Sequence, residues 1–294
     1  MGLLDADLPP IIDVQNSSAS RILVFFDLET GGFSKTADIL QIAAKHEDSY
    51  FSIYVTPTQK IDERASNITG LRIVEGQLQY HGKFVISVTL QNALLQFYNF
   101  LGELKKKCVL VAHNCTFDRP RLVQAIQKSL LTQYFRAVIF GFSDSLPIIK
   151  NVTKLTGKGE NKLEKLAETL KISTSNAHNA ANDVAMLEQV IMKLGISNES
   201  FFNSTLTWDD AIKRQKFDEE LPKALKKLDA LKTCTSFATR KKIVAADISY
   251  DLILEVYKKN KLMGVMNLLG EDENGNVKVK EDQKLYLKLN VLLI

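Results

Sequence analysis

The sequence has few of the features that mark secreted, zinc-thiolate or membrane proteins. Its 294 residues include only three cysteines, none in a CxxC pair, so we expect neither a disulfide framework nor a zinc site. The amino terminus lacks the basic and apolar segments of a secretory signal, and no apolar run approaches the ~20 residues of a membrane span. We therefore expect an intracellular protein, nuclear or cytoplasmic, that does not bind membranes.

The chain also has little excess charge of either sign. Its 38 basic and 34 acidic residues give a net charge of only +4, which permits a polyanionic partner without requiring one. The hydrophobic fraction of 45% is that of an ordinary globular protein and can fill a sizeable core.

Alternating strand and helix patterns predict an α/β fold. Residues 22–28 (ILVFFDL) form an apolar run typical of a buried central strand. The predicted strands are 22–28, 37–46, 49–56, 108–112 and 136–142, and the predicted helices are about 62–70, 87–106, the segment after Asp118, 162–170 and 179–193. We expect a mixed five-stranded sheet flanked by helices.

Composition divides the chain into three predicted segments. Residues 1–20 contain Pro9-Pro10 and a serine-rich stretch, which predicts a flexible leader. Residues 21–196 carry the alternating pattern of the main predicted domain. Residues 197–294 have few strand-like runs and many lysines in helical patterns, which predicts a helical carboxy-terminal extension with an exposed turn at 271–276 (EDENGN).

Two acids, Asp27 and Glu29, lie two residues apart at the end of the first predicted strand. Residues two apart on a strand face the same side, so these carboxylates repel each other unless a cation neutralises them. Gly31 and Gly32 follow at once and leave room for a ligand to approach the backbone. Taken alone, the pattern also fits a solvated loop.

Two further acids lie at predicted element ends. Asp118 stands where the strand 108–112 gives way to a helix, and Asp183 follows His178 by five residues. Five helical residues rotate about 500°, which would turn the two side chains about 140° apart, so we expect His178 in the preceding loop or first turn. Each feature alone also fits an ordinary helix terminus.

Together these residues predict a metal-dependent site. Four carboxylates suit two hard divalent cations such as Mg²⁺ or Mn²⁺. Two such metals about 3.5–4 Å apart can hold the attacking and leaving oxygens of a phosphoryl displacement. A histidine side chain, with an ordinary pKa of about 6.5, can accept the proton of the attacking water.

The three motifs resemble those of the DEDDh 3′–5′ exonucleases, which have a ribonuclease-H-like fold. They are DLETGG at 27–32, NCTFD at 114–118 and HNAAND at 178–183. The sister class has a tyrosine four residues before the last acid, where this chain has Asn179. Within the family, residues 20–195 are most similar to three-prime repair exonucleases and to the exonuclease-like region of the promyelocytic leukaemia protein.

The resemblance implies a role for each site residue. Asp27 would bridge two metal ions, Glu29 and Asp183 would hold the ion that carries the nucleophilic water, and Asp118 would support the second ion. His178 would be the general base.

Three other residues are expected at the substrate, namely Thr30, Gly31 and Asn114. Gly31 stands where many relatives have a second threonine, so we expect no side-chain contact with the terminal nucleotide from that position.

The implied reaction removes nucleoside 5′-monophosphates from nucleic-acid 3′ ends. Single-stranded DNA is the favoured partner, and RNA and a homodimer are compatible with the resemblance. The alternative is a catalytically weak nuclease-fold module that binds nucleic acid or protein, although the complete acidic set favours catalysis. A polymerase proofreading domain is disfavoured by the length of 294 residues, which leaves a separate proofreading subunit open.

Overall fold

The computed structural model describes residues 10–12, 14, 21–174, 178–271, 278–279, 286 and 288–289. Most of the predicted leader and of the predicted turn at 271–276 therefore lies outside the described residues. The chain divides into two compact units, Met1–Ile212 and Lys213–Ile294. The predicted boundary at residue 196 lies inside the first unit, and the assignment of functional domains stays a prediction.

A mixed sheet of seven strands forms the centre of the first unit. Its strands are β1 (Ile22–Thr30), β2 (Ile39–His46), β3 (Ser49–Val55), β7 (Ser87–Val88), β8 (Cys108–Ala112), β9 (Ile139–Asp144) and β10 (Leu206–Thr207), in the spatial order β10-β9-β8-β1-β2-β3-β7. The pairs β1–β2 and β2–β3 are antiparallel, whereas β1–β8 and β8–β9 are parallel. The five predicted strands are confirmed, and two-residue strands at both edges extend the sheet beyond the prediction.

Helices cover both faces of this sheet. They are α1 (Glu63–Thr69), α2 (Leu90–Glu103), α3 (Cys115–Lys128), α4 (Thr132–Val138), α5 (Ser145–Thr153), α6 (Leu163–Thr169), α7 (Ala180–Lys193) and α8 (Asn198–Asn203). Val24 and Phe26 of β1 pack in one apolar cluster with α2, α3 and α4, while Leu23 and Phe25 pack in another with α6 and α7. All five residues of β8 are buried, as expected for a strand covered on both faces.

The sequence patterns missed several short elements. A small antiparallel sheet is formed by β4 (Leu71–Val74), β5 (Gln77–Tyr80) and β6 (Lys83–Phe84). Its two turns contain Glu75-Gly76 and His81-Gly82, and all four residues have positive φ, as in type I′ hairpin turns. The predicted strand 136–142 begins only at Ile139, because α4 occupies the residues before it.

The second unit is helical in its described residues. It contains most of α9 (Trp208–Lys227), a 3₁₀ segment (Asp229–Thr233), α10 (Phe237–Ala245) and α11 (Tyr250–Leu269). Leu231, Ile243 and Ile253 are fully buried in its apolar core. None of the helices described in either unit combines the length and the apolar character needed to cross a membrane.

Candidate active site

Three carboxylates converge at the carboxyl end of β1. One ligand oxygen from each of Asp27, Glu29 and Asp183 lies within 4.8 Å of the other two. Asp27 and Glu29 share a face of β1 because they are two residues apart. Asp183 reaches them from the first turn of α7, so the fold joins the first and third motifs of the sequence.

Asp118, in the first turn of α3, is not one of the three convergent ligands but lies close enough to affect two of them electrostatically. Its carboxylate is only 3% exposed and accepts hydrogen bonds from the backbone N–H groups of Leu28 and of Asp118 itself. It lies close enough to Asp27 to raise the pKa of that carboxyl group. Both Asp118 and Asp183 lie at helix amino termini, where the helix dipole favours negative charge.

The pKa values of all four acids are raised above their ordinary values. Removal from water is the largest cause in each case, and the neighbouring carboxylates add to it for Asp27 and Glu29. The pKa of Glu29 rises to about 8, that of Asp118 to about 7 and that of Asp183 to about 6. A divalent cation would relieve this repulsion, and an all-carboxylate donor set fits Mg²⁺ or Mn²⁺.

His178 lies in the loop before α7, as the spacing predicts. Its backbone has a φ of 63°, in the left-handed region. The imidazole Nε2 is 2.8 Å from Oε1 of Glu164 on α6, and the backbone N–H of His178 donates to the Asp183 carboxylate. His178 thus lies beside a predicted metal ligand and contacts an acid that the motifs do not include.

A buried amide network fixes the residue next to His178. The Asn179 side chain caps α7 by accepting from the Ala181 N–H, and it donates to the Tyr54 hydroxyl at 3.0 Å. Gln41 Nε2 donates to Asn179 Oδ1, and Gln41 Oε1 accepts from the Ala180 N–H. Gln41 could have indicated this network from the sequence, because it is the one polar residue inside the apolar run ILQIAA.

The second motif forms a tight strand-to-helix junction. Asn114 has a φ of 65°, and its N–H donates to Oδ1 of Asp144, which also caps α5. His113 bridges Ser145 Oγ at 3.0 Å and the Asn161 carbonyl at 2.7 Å. Burial lowers the His113 pKa, so this histidine is a neutral structural link.

The predicted substrate residues Thr30 and Gly31 belong to a closed turn. Thr30 is buried, and its hydroxyl donates to the Gly32 carbonyl at 2.9 Å. The N–H of Gly31 donates to the Asp38 carbonyl, and its own carbonyl accepts from the Asp62 N–H. Thr30 therefore shapes the turn after β1 through its side chain.

Arg121 of α3 also contacts the segment that follows β1. It is only 5% exposed, and its Nη2 donates to the carbonyls of Phe33 and Ser34 at 2.6 and 2.9 Å. Its guanidinium also lies 3.5 Å from the centroid of the Phe117 ring and lowers the pKa of Asp118. Sequence reasoning assigned no role to this arginine, because its contacts join distant parts of the chain.

A large cleft opens onto Asp27, Asp183 and His178. Its volume is about 1370 Å³, and its lining includes Asp27, Asn114, His178 and Asp183 together with the loop at 154–162. The motif residues at positions 27, 114, 178 and 183 thus share one solvent-accessible space that is larger than a typical small-molecule pocket of about 300–1,000 Å³.

Residues 24–191 match the sequence model of the RNase_T exonuclease family. The chain belongs to this exonuclease family. The match covers all three motifs, and the acids with His178 correspond to the DEDDh class. The finer resemblance to three-prime repair exonucleases stays a prediction.

Among curated proteins, the exonuclease domain is similar to PolC-type DNA polymerase III. The Clostridium perfringens protein is 29% identical over 197 residues, which cover 64% of this chain and 12% of the polymerase. The Staphylococcus saprophyticus protein is 26% identical over 205 residues, which cover 65% of this chain and 13% of the polymerase. The chain therefore spans only a small part of these relatives.

Two solved structures are similar in fold. One is Exonuclease X in complex with 5′-overhanging duplex DNA, with a TM-score of 0.40, 17% identity and coverage of 61% of this chain and 97% of that chain. The other is the nuclease domain of 3′hExo, a DEDDh family member bound to rAMP, with a TM-score of 0.49, 13% identity and coverage of 63% and 96%.

Proposed function

We propose that this protein is a 3′–5′ exonuclease that releases nucleoside 5′-monophosphates from nucleic-acid 3′ ends. Single-stranded DNA is the preferred substrate, and RNA is a second one to test. The observation that carries the proposal is the convergence of Asp27, Glu29 and Asp183 within 4.8 Å, beside Asp118 and in one cleft with His178.

Two Mg²⁺ or Mn²⁺ ions would be held by Asp27, Glu29, Asp118 and Asp183. When bound, such ions supply charge stabilisation at the phosphodiester and make water a better nucleophile near neutral pH. The raised pKa values of Glu29 and Asp118 support this assignment, because buried carboxylates that repel one another gain most from a cation.

His178 would accept the proton of the attacking water. Its position in a loop beside Asp183 places the imidazole at the cleft. The carboxylate of Glu164, 2.8 Å from Nε2, would orient the ring and stabilise the imidazolium that forms.

Labelled oligonucleotides test the proposal. DNA and RNA strands labelled at either end are incubated with Mg²⁺, with Mn²⁺ and with EDTA. We expect a ladder of shortened products from the 5′-labelled strand, an immediate labelled mononucleotide from the 3′-labelled strand, and no product in EDTA. The opposite label pattern would show 5′–3′ polarity, and binding without cleavage would support the non-catalytic module.

The PolC-type relatives give a specific reason to test proofreading. Duplexes with a paired or a mispaired 3′ end are compared in the same assay. Faster removal of the mispaired nucleotide would favour a proofreading role, whereas equal rates on both ends, slower than on single strands, would favour general processing of single-stranded 3′ ends.

A further inference from the structure

Four lysines, none of them in the three sequence motifs, line one part of the cleft. They are Lys150 at the end of α5, Lys154 and Lys158 in the following loop and Lys162 just before α6, which we call the lysine wall. They recur every four residues, and all four are exposed. The lysine wall shares the cleft with Asp27 and Asp183, so positive charge lies beside the acidic centre.

The loop that carries the lysine wall is anchored to the catalytic sheet. Asn161 Nδ2 donates to the Leu155 carbonyl at 2.9 Å, which holds the two ends of the loop together. The Asn161 carbonyl binds Nε2 of His113, and His113 directly follows β8 next to Asn114. The lysines therefore extend from a loop with a fixed base rather than from a free segment.

The lysines of the wall are not held in ion pairs within the described part of the chain. Across residues 21–174 and 178–271, no carboxylate forms an ion pair with Lys150, Lys154, Lys158 or Lys162. Lys154 Nζ donates to the neutral side chain of Asn151, at 2.8 Å. By contrast, Lys165 on α6, outside the cleft, pairs with Glu168.

We propose that the lysine wall binds backbone phosphates of the substrate strand on the 5′ side of the bond that is cut. This inference rests on the proposed function and names how that site holds its substrate. The acidic centre repels a phosphodiester until cations are bound, so a cleft for a polyanion needs cationic groups nearby. The cleft volume of about 1370 Å³ accommodates more than the terminal nucleotide, which leaves room for an upstream segment along these lysines.

Phosphate contacts of this kind have a measurable signature. Each one releases counterions, so the logarithm of affinity falls with the logarithm of salt by about 0.7 per contact on single strands. The variant Lys154→Gln/Lys158→Gln should therefore lower the salt slope by about 1.4 and weaken binding about tenfold at low salt. A matched control is Lys105→Gln/Lys106→Gln, which removes the same charge beside the amino end of β8, opposite the active site.

Fluorescence anisotropy with labelled dodecathymidylate in EDTA tests binding without cleavage, between about 50 and 200 mM salt. We expect the reduced slope in Lys154→Gln/Lys158→Gln and the parent slope in the control. If both variants keep the parent slope and affinity, or if both lose them equally, the lysine wall does not bind phosphate specifically.

Substrate length provides a second readout. The KM ratio between Lys154→Gln/Lys158→Gln and the parent should grow from a dinucleotide, which has only the scissile phosphate, to dodecathymidylate. A ratio independent of length would overturn the upstream placement. If the parent cleaves neither substrate, the proposed function fails, whereas the binding comparison still decides whether the lysine wall holds phosphates.

Discussion

The imidazole of His178 and the carboxylate of Glu164 form a 2.8 Å contact between the loop before α7 and the first turn of α6. Helices α6 and α7 pack on the same face of the sheet. The contact with Glu164 on α6 therefore restrains the imidazole of His178, the expected general base. Glu164 is therefore a positioning residue for the proposed reaction, although no sequence motif includes it.

Glu164→Ala should lower kcat about tenfold with little change in KM, as for loss of a hydrogen bond to a charged group. Glu164→Gln keeps an acceptor and should recover part of the rate. The control is Glu168→Ala, which removes an exposed acid from the same helix. A rate that rises in Glu164→Ala would show that the contact instead holds His178 away from the water.

His178→Ala should lower turnover by about 10²–10⁴-fold, the usual contribution of a general base. Binding of Mn²⁺, measured by calorimetry, should change little, because the imidazole is not among the four oxygen ligands. A rate loss that simply follows weaker metal binding would contradict the assignment.

Asp27→Asn should abolish cleavage and leave the fold intact, because it removes the carboxylate shared by the proposed metal sites. In the metal-free protein, burial and then the nearby Asp118, Glu29 and Asp183 disfavour a charged group at this position and raise the pKa of Asp27, so a neutral amide is at least as well accommodated. The melting temperature without metal should therefore hold or rise slightly. Asp48→Asn, at an exposed turn, is the control and should alter neither property. Near-normal turnover of Asp27→Asn in Mg²⁺ would disprove the metal assignment.

The metal-free protein should become less stable as pH rises from about 4 to about 8. Glu29, Asp118 and Asp183 have folded-state pKa values of about 8, 7 and 6, above the ordinary carboxyl range, so the folded state binds more protons in this window. Thermal unfolding in EDTA across pH measures the effect, and Asp27→Asn should flatten it. A stability that rises with pH over this range would contradict the shifts.

The same carboxyl groups must lose their protons before they bind a cation. Calorimetric Mg²⁺ or Mn²⁺ affinity should therefore increase between about pH 6 and pH 8, with release of protons on binding. An affinity independent of pH in this range would show that the acids are already ionised without metal.

Arg121→Met should raise KM for single-stranded substrates more than it lowers kcat. It removes the donors that hold the Phe33 and Ser34 carbonyls, and so loosens the turn that follows Thr30. Arg119→Met, two positions earlier on α3, is the control and tests whether the loss of any nearby positive charge has the same effect. Equal KM values for Arg121→Met and the parent would show that the turn is held by other contacts.

The sequence predicted the centre of this fold because its strands are long apolar runs. β1, β2 and β8 carry continuous or nearly continuous apolar segments, and their positions were expected within about two residues. The small sheet β4–β6 was missed, since its strands have two to four residues and depend on turns at Glu75-Gly76 and His81-Gly82.

The four acids and His178 were identifiable because their motifs have local spacing at element ends. Glu164, Gln41 and Arg121 were not, because each acts through contacts with residues far away in the chain. No local pattern distinguishes Glu164 from Glu168 on the same short helix. Only the packing of α6 beside α7 brings one of them to His178 and leaves the other exposed.

The order of the site residues along the chain determines when the site can form during translation. Asp27, Glu29 and Asp118 precede His178 and Asp183, which lie in the loop before α7 and in the first turn of α7. A ribosome adds about 5–20 residues per second, so the first three acids leave the exit tunnel seconds before the last one. During that interval the nascent chain lacks both the fourth acid and the histidine. The proposed active site is thus incomplete, and unable to act on nucleic acid, until α7 has emerged and docked.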